Sequence, residues 1–164
     1  MKFSSDRLRM PSPFPVPDLF LTHINLGLGS NEGVGALAEL FSGLEQLPAV
    51  TDRSRLWNDL LERQKAGPVA FNALVALPHA RSAGVSEILM VAGRHATGIA
   101  FDAEHPNIRL VFLIVTPKDQ AAAYLQKVAT LARALRQPDR IAALLAAANG
   151  DDFQRILAGD AVPS

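Results

Sequence analysis

The stretch of this chain best equipped for chemistry is Val75-Ala-Leu-Pro-His79-Ala-Arg81, where an apolar run meets a proline, a histidine and then an arginine. Pro78 has no backbone N–H and pushes Leu77 into an extended conformation, so the run reads as a strand that stops there. His79 then falls on the first residues of a loop at the lip of a sheet, where function concentrates. An imidazole with a near-neutral pKa is available there in its neutral, nucleophilic form. From this segment alone, an ordinary surface histidine after a proline is an equally good reading. The other histidines, His23, His95 and His105, have no carboxylate or histidine at metal-ligand spacing. They read as surface or loop residues, and no metal site is expected. Gly27-Leu28-Gly29-Ser30 looks like a phosphate loop only superficially, because neither Gly-Lys-Ser/Thr nor the dinucleotide glycine spacing follows. No cofactor is expected.

The elements that must position His79 come from a chain of 164 residues, enough for one domain with a real core. Sixteen basic residues balance sixteen acidic ones, so no overall field draws nucleic acid or an anionic membrane toward it. Cysteine is absent, which removes disulfides, thiolate chemistry and Cys-based zinc sites. No apolar run approaches the roughly 20 residues that a membrane helix needs. The N-terminus lacks the hydrophobic segment of a secretory signal, and a cytoplasmic protein is the expectation.

Residues 1–18 differ in composition from the rest, with Pro11, Pro13, Pro15 and Pro17 at alternate positions, and read as an extended leader. Residues 19–164 read as one domain. Leu19 to Leu26 suits a first strand. Ser30 is placed to cap a helix with Val34, Leu37, Phe41 and Leu44 on its apolar face. Asp52 starts a second helix with Leu56, Trp57, Leu60 and Leu61 inward, stopped by Gly67-Pro68. Val85 to Ala92 and Leu110 to Val115 read as buried strands, joined by a turn-rich connection from Gly98 to Asn107. Thr116-Pro117 reads as the cap and first position of a helix reaching about Leu135. Further helices are expected from Pro138 to about Asn149-Gly150 and from Asp151 to Leu157. Four strand-like runs among five helical ones predict a single-domain α/β sandwich, a mixed sheet with helices on both faces.

In this order the segments resemble the type-2 IIA domains of the bacterial phosphoenolpyruvate-dependent sugar phosphotransferase system, the fructose and mannitol type and the related nitrogen-regulatory proteins. The resemblance spans about residues 20 to 158. Three places carry it: Leu60-Leu-Glu-Arg-Gln64, the Val75 to Arg81 motif, and Phe101-Asp102 followed by Leu110 to Pro117. The interval between Arg63 and His79 matches as well. The resemblance implies that His79 accepts a phosphoryl group from a histidine on a small HPr-like carrier protein and hands it to a IIB domain, or serves a regulatory target. It implies that Arg63 faces the phosphoryl oxygens with its planar fork. Arg81 is near enough in sequence to serve the phosphate or an acidic partner surface.

Three departures stand against the family pattern. The glycine-rich run before the histidine is replaced by Pro68-Val-Ala-Phe-Asn-Ala-Leu74, so Phe71, Asn72 and Leu74 are expected to present side chains toward or over the pocket. The family's second histidine, in the first turns of the helix after the late strand, corresponds to Tyr124, a hydrogen-bond donor without positive charge. Gln64 stands where a glutamate follows the arginine, so Arg63 loses a local carboxylate. These changes leave a second reading open, a poorly phosphorylated regulatory binding module of the nitrogen-regulatory type.

Overall fold

A computed structural model describes residues 19–159. The expected leader, residues 1–18, lies outside them. In chain order the elements are β1 (His23–Leu28), α1 (Gly33–Ser42), α2 (Arg53–Ala66), β2 (Val75–Ala76), β3 (His79–Arg81), β4 (Leu89–Ile99), β5 (Ile108–Thr116), α3 (Ala121–Leu135), α4 (Pro138–Ala146) and α5 (Gly150–Leu157). The strands make one mixed sheet in the order β1-β4-β5-β2, with β3 also on β5. β4 and β5 pair antiparallel, while β1 runs parallel to β4, and β2 and β3 run parallel to β5.

The continuous apolar run of β5 forms the centre because both faces of the sheet are covered. Side chains alternate across a strand. Val111, Leu113 and Val115 pack with Leu37, Leu40, Leu56 and Leu60 of α1 and α2. Leu110, Phe112 and Ile114 pack with Leu131, Leu135, Leu144 and Phe153 of α3, α4 and α5. This is the expected mixed sheet with helices on both faces.

Several local expectations are corrected. Pro78 interrupts the edge of the sheet without ending it: Val75 faces Leu110 and His79 faces Ile114 in an unbroken register. The Pro78 carbonyl still accepts the Ile114 N–H at 3.1 Å. An edge strand tolerates proline because its outward side needs no donor. His79 therefore opens a three-residue strand, where a loop was expected.

The first strand begins later than Leu19. The Gln154 side chain instead holds the Leu19 carbonyl (3.0 Å) and the Leu21 N–H (2.8 Å), anchoring that segment to α5. Ser30 does not cap α1; its hydroxyl makes a local turn with the Glu32 N–H at 3.2 Å, and α1 starts at Gly33. Leu37, Phe41 and Leu44 are buried as expected, while Val34, in the first turn, is 48% exposed. Asp52 does cap α2, accepting from the Arg55 N–H at 3.0 Å; Leu56 and Leu60 are buried, while Trp57 and Leu61 are half-buried.

β4 starts at Leu89 because Val85 and Ser86 pair with the chain just ahead of α2, through the Val50–Val85 bridge and a Ser86 N–H bond to the Ala49 carbonyl. β4 also runs on to Ile99, which places His95 inside a strand at 6% exposure, not on the surface. Its Nδ1 accepts from the N–H groups of Thr97 (3.1 Å) and Gly98 (2.8 Å). His105 has a carboxylate neighbour after all, with Nδ1 2.8 Å from Asp102 Oδ1. Thr116 ends β5 and its hydroxyl donates to the Pro117 carbonyl, so α3 starts only at Ala121. Asn149 lies beyond α4 and caps α5, accepting from the Asp152 N–H at 2.9 Å.

Candidate functional site

The open cleft beside His79, ≈ 730 Å³ in volume, is assembled from four separate pieces of chain. α2 brings Asp59 and Arg63, β3 brings His79 and Arg81, the turn after β5 brings Lys118, and α3 brings Tyr124 and Leu125. Asp59 and Arg63 are four residues apart and so share one helix face. α2 is seated against the chain leaving β3 through Gly84, whose carbonyl accepts the N–H groups of Thr51 (2.9 Å) and Asp52 (3.1 Å). A Cβ at Gly84 would lie 2.5 Å from the Asp52 carbonyl oxygen, so a side chain there would force helix and strand apart.

His79 is half-buried, and its Nδ1 lies 2.9 Å from the Leu77 carbonyl oxygen. A carbonyl only accepts, so Nδ1 carries the proton and Nε2 carries the lone pair. Burial holds the imidazole pKa below its ordinary value; the Leu77 carbonyl opposes this, and the Arg63 guanidinium adds to it. The neutral, nucleophilic ring is therefore favoured.

Tyr124 is 7% exposed, and its ring lies 5.8 Å from the His79 ring, centroid to centroid, tilted by 43°. Burial pushes the phenol up, while Arg63 and Arg81 pull it down. The hydroxyl makes no hydrogen bond with any described residue, His79 included. Arg63 and Arg81 likewise have no hydrogen-bond or ion-pair partner among the described residues. All four residues singled out from the sequence, His79, Arg63, Tyr124 and Arg81, thus line one cleft.

Two expectations about the surroundings do not hold. Phe71, Asn72 and Leu74 do not cover the His79 cleft; they line a separate groove with Leu135, Pro138 and Ile141. The reason is local: Asn72 Oδ1 accepts the N–H groups of Leu74 and Val75, both at 2.9 Å, and this Asx turn folds the segment away before β2 begins. Gln64 also faces elsewhere, against Gly33 and Phe101 and into a different pocket. A carboxylate at that position would not meet Arg63 in the cleft. Sequence reasoning missed Asp59, Lys118 and Leu125. The signals for the first two were present: Asp59 lies one turn before Arg63, and Lys118 directly follows the proline just past the late strand.

The family model of the phosphoenolpyruvate-dependent sugar phosphotransferase system, EIIA 2, matches residues 20–159. The chain belongs to this family. It is 30% identical to a nitrogen regulatory protein of Bradyrhizobium diazoefficiens over 146 residues, covering 88% of this chain and 95% of that protein. It is also 30% identical over 125 residues to a fructose-specific EIIA component of Haloferax volcanii, covering 76% of this chain and 81% of that one. The fold is that of the nitrogen regulatory protein IIA-Ntr of Neisseria meningitidis, with a TM-score of 0.77 at 22% identity over 87% of this chain and 97% of that one. The mannitol IIA domain of Escherichia coli superposes with a TM-score of 0.70 at 21% identity over 82% of this chain and 94% of that one. Among the described residues of this EIIA chain, no helix is long and apolar enough to cross a membrane.

Proposed function

We propose that this EIIA chain accepts a phosphoryl group on Nε2 of His79 from a histidine phosphocarrier protein and passes it to a IIB domain or spends it as a regulatory signal. One observation carries the reading: Nδ1 of His79 is committed to the Leu77 carbonyl, which leaves the Nε2 lone pair for attack in a cleft shared with Arg63. In the transfer, Nε2 supplies the electron pair of the new N–P bond. The donor's N–P bond breaks and its pair leaves with the donor imidazole, while Nδ1 keeps its proton toward Leu77. The phosphoryl oxygens carry negative charge throughout, and the Arg63 guanidinium in the same cleft lowers the barrier. The Tyr124 hydroxyl, kept protonated by burial, donates one hydrogen bond in the same place.

The choice of output has support on both sides. The Bradyrhizobium relative bears the name nitrogen regulatory protein and matches almost end to end. The mannitol IIA domain, with the same fold, has been solved with its phosphorylated IIB partner. The uncharged Tyr124 favours slow phosphorylation, and with it the regulatory output. This reading puts the chain in the cytoplasm, as a partner of proteins and not of nucleic acid or membrane.

The test supplies phosphoenolpyruvate and the general carrier proteins and follows acid-labile label by mass spectrometry. Slow label on His79, lost in His79→Ala, is the expected result. Label that survives His79→Ala would overturn the site. No label over hours would overturn the carrier role and leave a binding module.

A further inference from the structure

We infer that Lys118 is a phosphoryl-binding side chain of this cleft, supplying from the turn before α3 the positive charge that Tyr124 lacks. The inference rests on the proposed phosphoryl chemistry at His79 and adds a residue to it.

The backbone fixes where Lys118 starts. Thr116, the last residue of β5, faces Arg81 in the parallel ladder, and its carbonyl accepts the Ser82 N–H at 2.9 Å. Pro117 then sets the direction of the chain, and the Gln120 N–H closes a turn on the Pro117 carbonyl at 3.3 Å. Lys118 occupies the first central position of that turn, one residue past the proline and directly beyond the strand that registers His79. Its ammonium sits on a long flexible stem, so a firmly held Cα at the rim is enough to bring it over the cleft.

Electrostatics point the same way. Arg63, Arg81 and Lys118 line the cleft together, and none has a hydrogen-bond or ion-pair partner among the described residues. One carboxylate lines it with them, Asp59, and its ion pair is with Arg55, one turn earlier on α2, at 3.6 Å. Asp119, next to Lys118, is exposed and not part of the lining. The first turn of α3, where Ala121 reaches the lining, holds no acidic side chain, and the helix end adds its own partial positive charge. Three like charges held around one space repel one another unless an anion enters. A phosphoryl group on Nε2 is such an anion, and Lys118 lines the cleft together with Tyr124.

The experiment titrates the full chain with inorganic phosphate at constant ionic strength and follows the ring resonances of His79 and Tyr124 by NMR. The expected result is a saturating shift, weakened by Lys118→Ala about tenfold, less than a buried donor would cost because the residue lies on the exposed rim. Lys118→Arg should restore binding. Lys65→Ala, which removes an exposed lysine of α2 paired with Glu62 outside the cleft, should change nothing. In the carrier assay, the initial rate of labelling at His79 should fall about tenfold in Lys118→Ala with unchanged melting behaviour. No phosphate shift in the wild-type chain, or equal phosphate affinity and labelling rate in Lys118→Ala, would overturn the inference. His79 labelled at full rate in Lys118→Ala would overturn the inference while leaving the proposed function standing. Phosphate binding that depends on Lys118, without any label, would support Lys118 and count against transfer.

Discussion

His79 is bound twice by its surroundings, through Nδ1 to the Leu77 carbonyl and through ring contact with Tyr124. Burial, with help from Arg63, holds its pKa below the ordinary 6.5. The fold therefore binds the neutral ring better than the imidazolium. By linkage, the stability this contributes is complete above the unfolded value of about 6.5 and is lost as pH falls from there through the folded pKa. An NMR titration of the His79 ring should give a midpoint below that of a histidine in a model peptide, and phosphoryl acceptance should persist into mildly acidic solution. A midpoint at or above the peptide value would contradict the burial argument. Tyr124→His is the second expectation at this scale. A second imidazole in place of the phenol, able to take a proton once a phosphoryl dianion is beside it, should speed labelling of His79 by about tenfold or more, given that single donors of this kind are worth about a hundredfold. An unchanged rate in the carrier assay would mean that position 124 does not touch the phosphoryl group.

At the scale of elements, the legible features were those with strong local chemistry. The Asp52 cap, the apolar run of β5 and the extended segment leading to Pro78 could be read from residue order, whereas the strand that resumes at His79 could not. What could not be read were choices decided by distant partners. Gln154, far along the chain, claims Leu19 and Leu21 and so shortens β1. The segment before α2 takes Val85 and Ser86, so β4 starts late. β4 then continues past Ala92, with His95 opposite Leu28 of β1 and Ile99 opposite Ile108 of β5, and His95 is buried there. Asn72 shows the opposite case: its Asx turn is a strong local signal that outweighs the absence of the family's glycines. Its side chain holds the N–H groups of Leu74 and Val75, and Val75 is fully buried. Asn72→Ala should cost about 1 kcal/mol, because the two donors it leaves unpaired are only partly buried. The measurement is the shift in urea midpoint at constant slope. A loss well under 0.5 kcal/mol, roughly the scatter of surface substitutions, would show that the turn holds without its side chain.

Across the whole molecule, the cleft is the place where the two helical layers meet at the edge of the sheet. Arg63 belongs to α2, which packs on one face, and Tyr124 to α3, which packs on the other. His79 sits between them on the edge strand, in register with Ile114 of the central strand. An anion in the cleft therefore ties both layers to the sheet, and its binding energy acts on the native state as a whole. Any ligand that binds only the folded chain raises stability by mass action, about 2.7 kcal/mol at a hundredfold excess over its dissociation constant. For a domain of this size that corresponds to a melting shift of about 5–10 °C. Saturating inorganic phosphate at constant ionic strength should produce a shift of that order. Amide exchange should slow in the last turn of α2 and the first turn of α3 together. His79→Ala, with the Arg63 side chain retained, should keep part of the shift, whereas Arg63→Ala should lose most of it. Protection that rose in only one of the two helices would mean that the anion binds one wall of the cleft and does not join the layers.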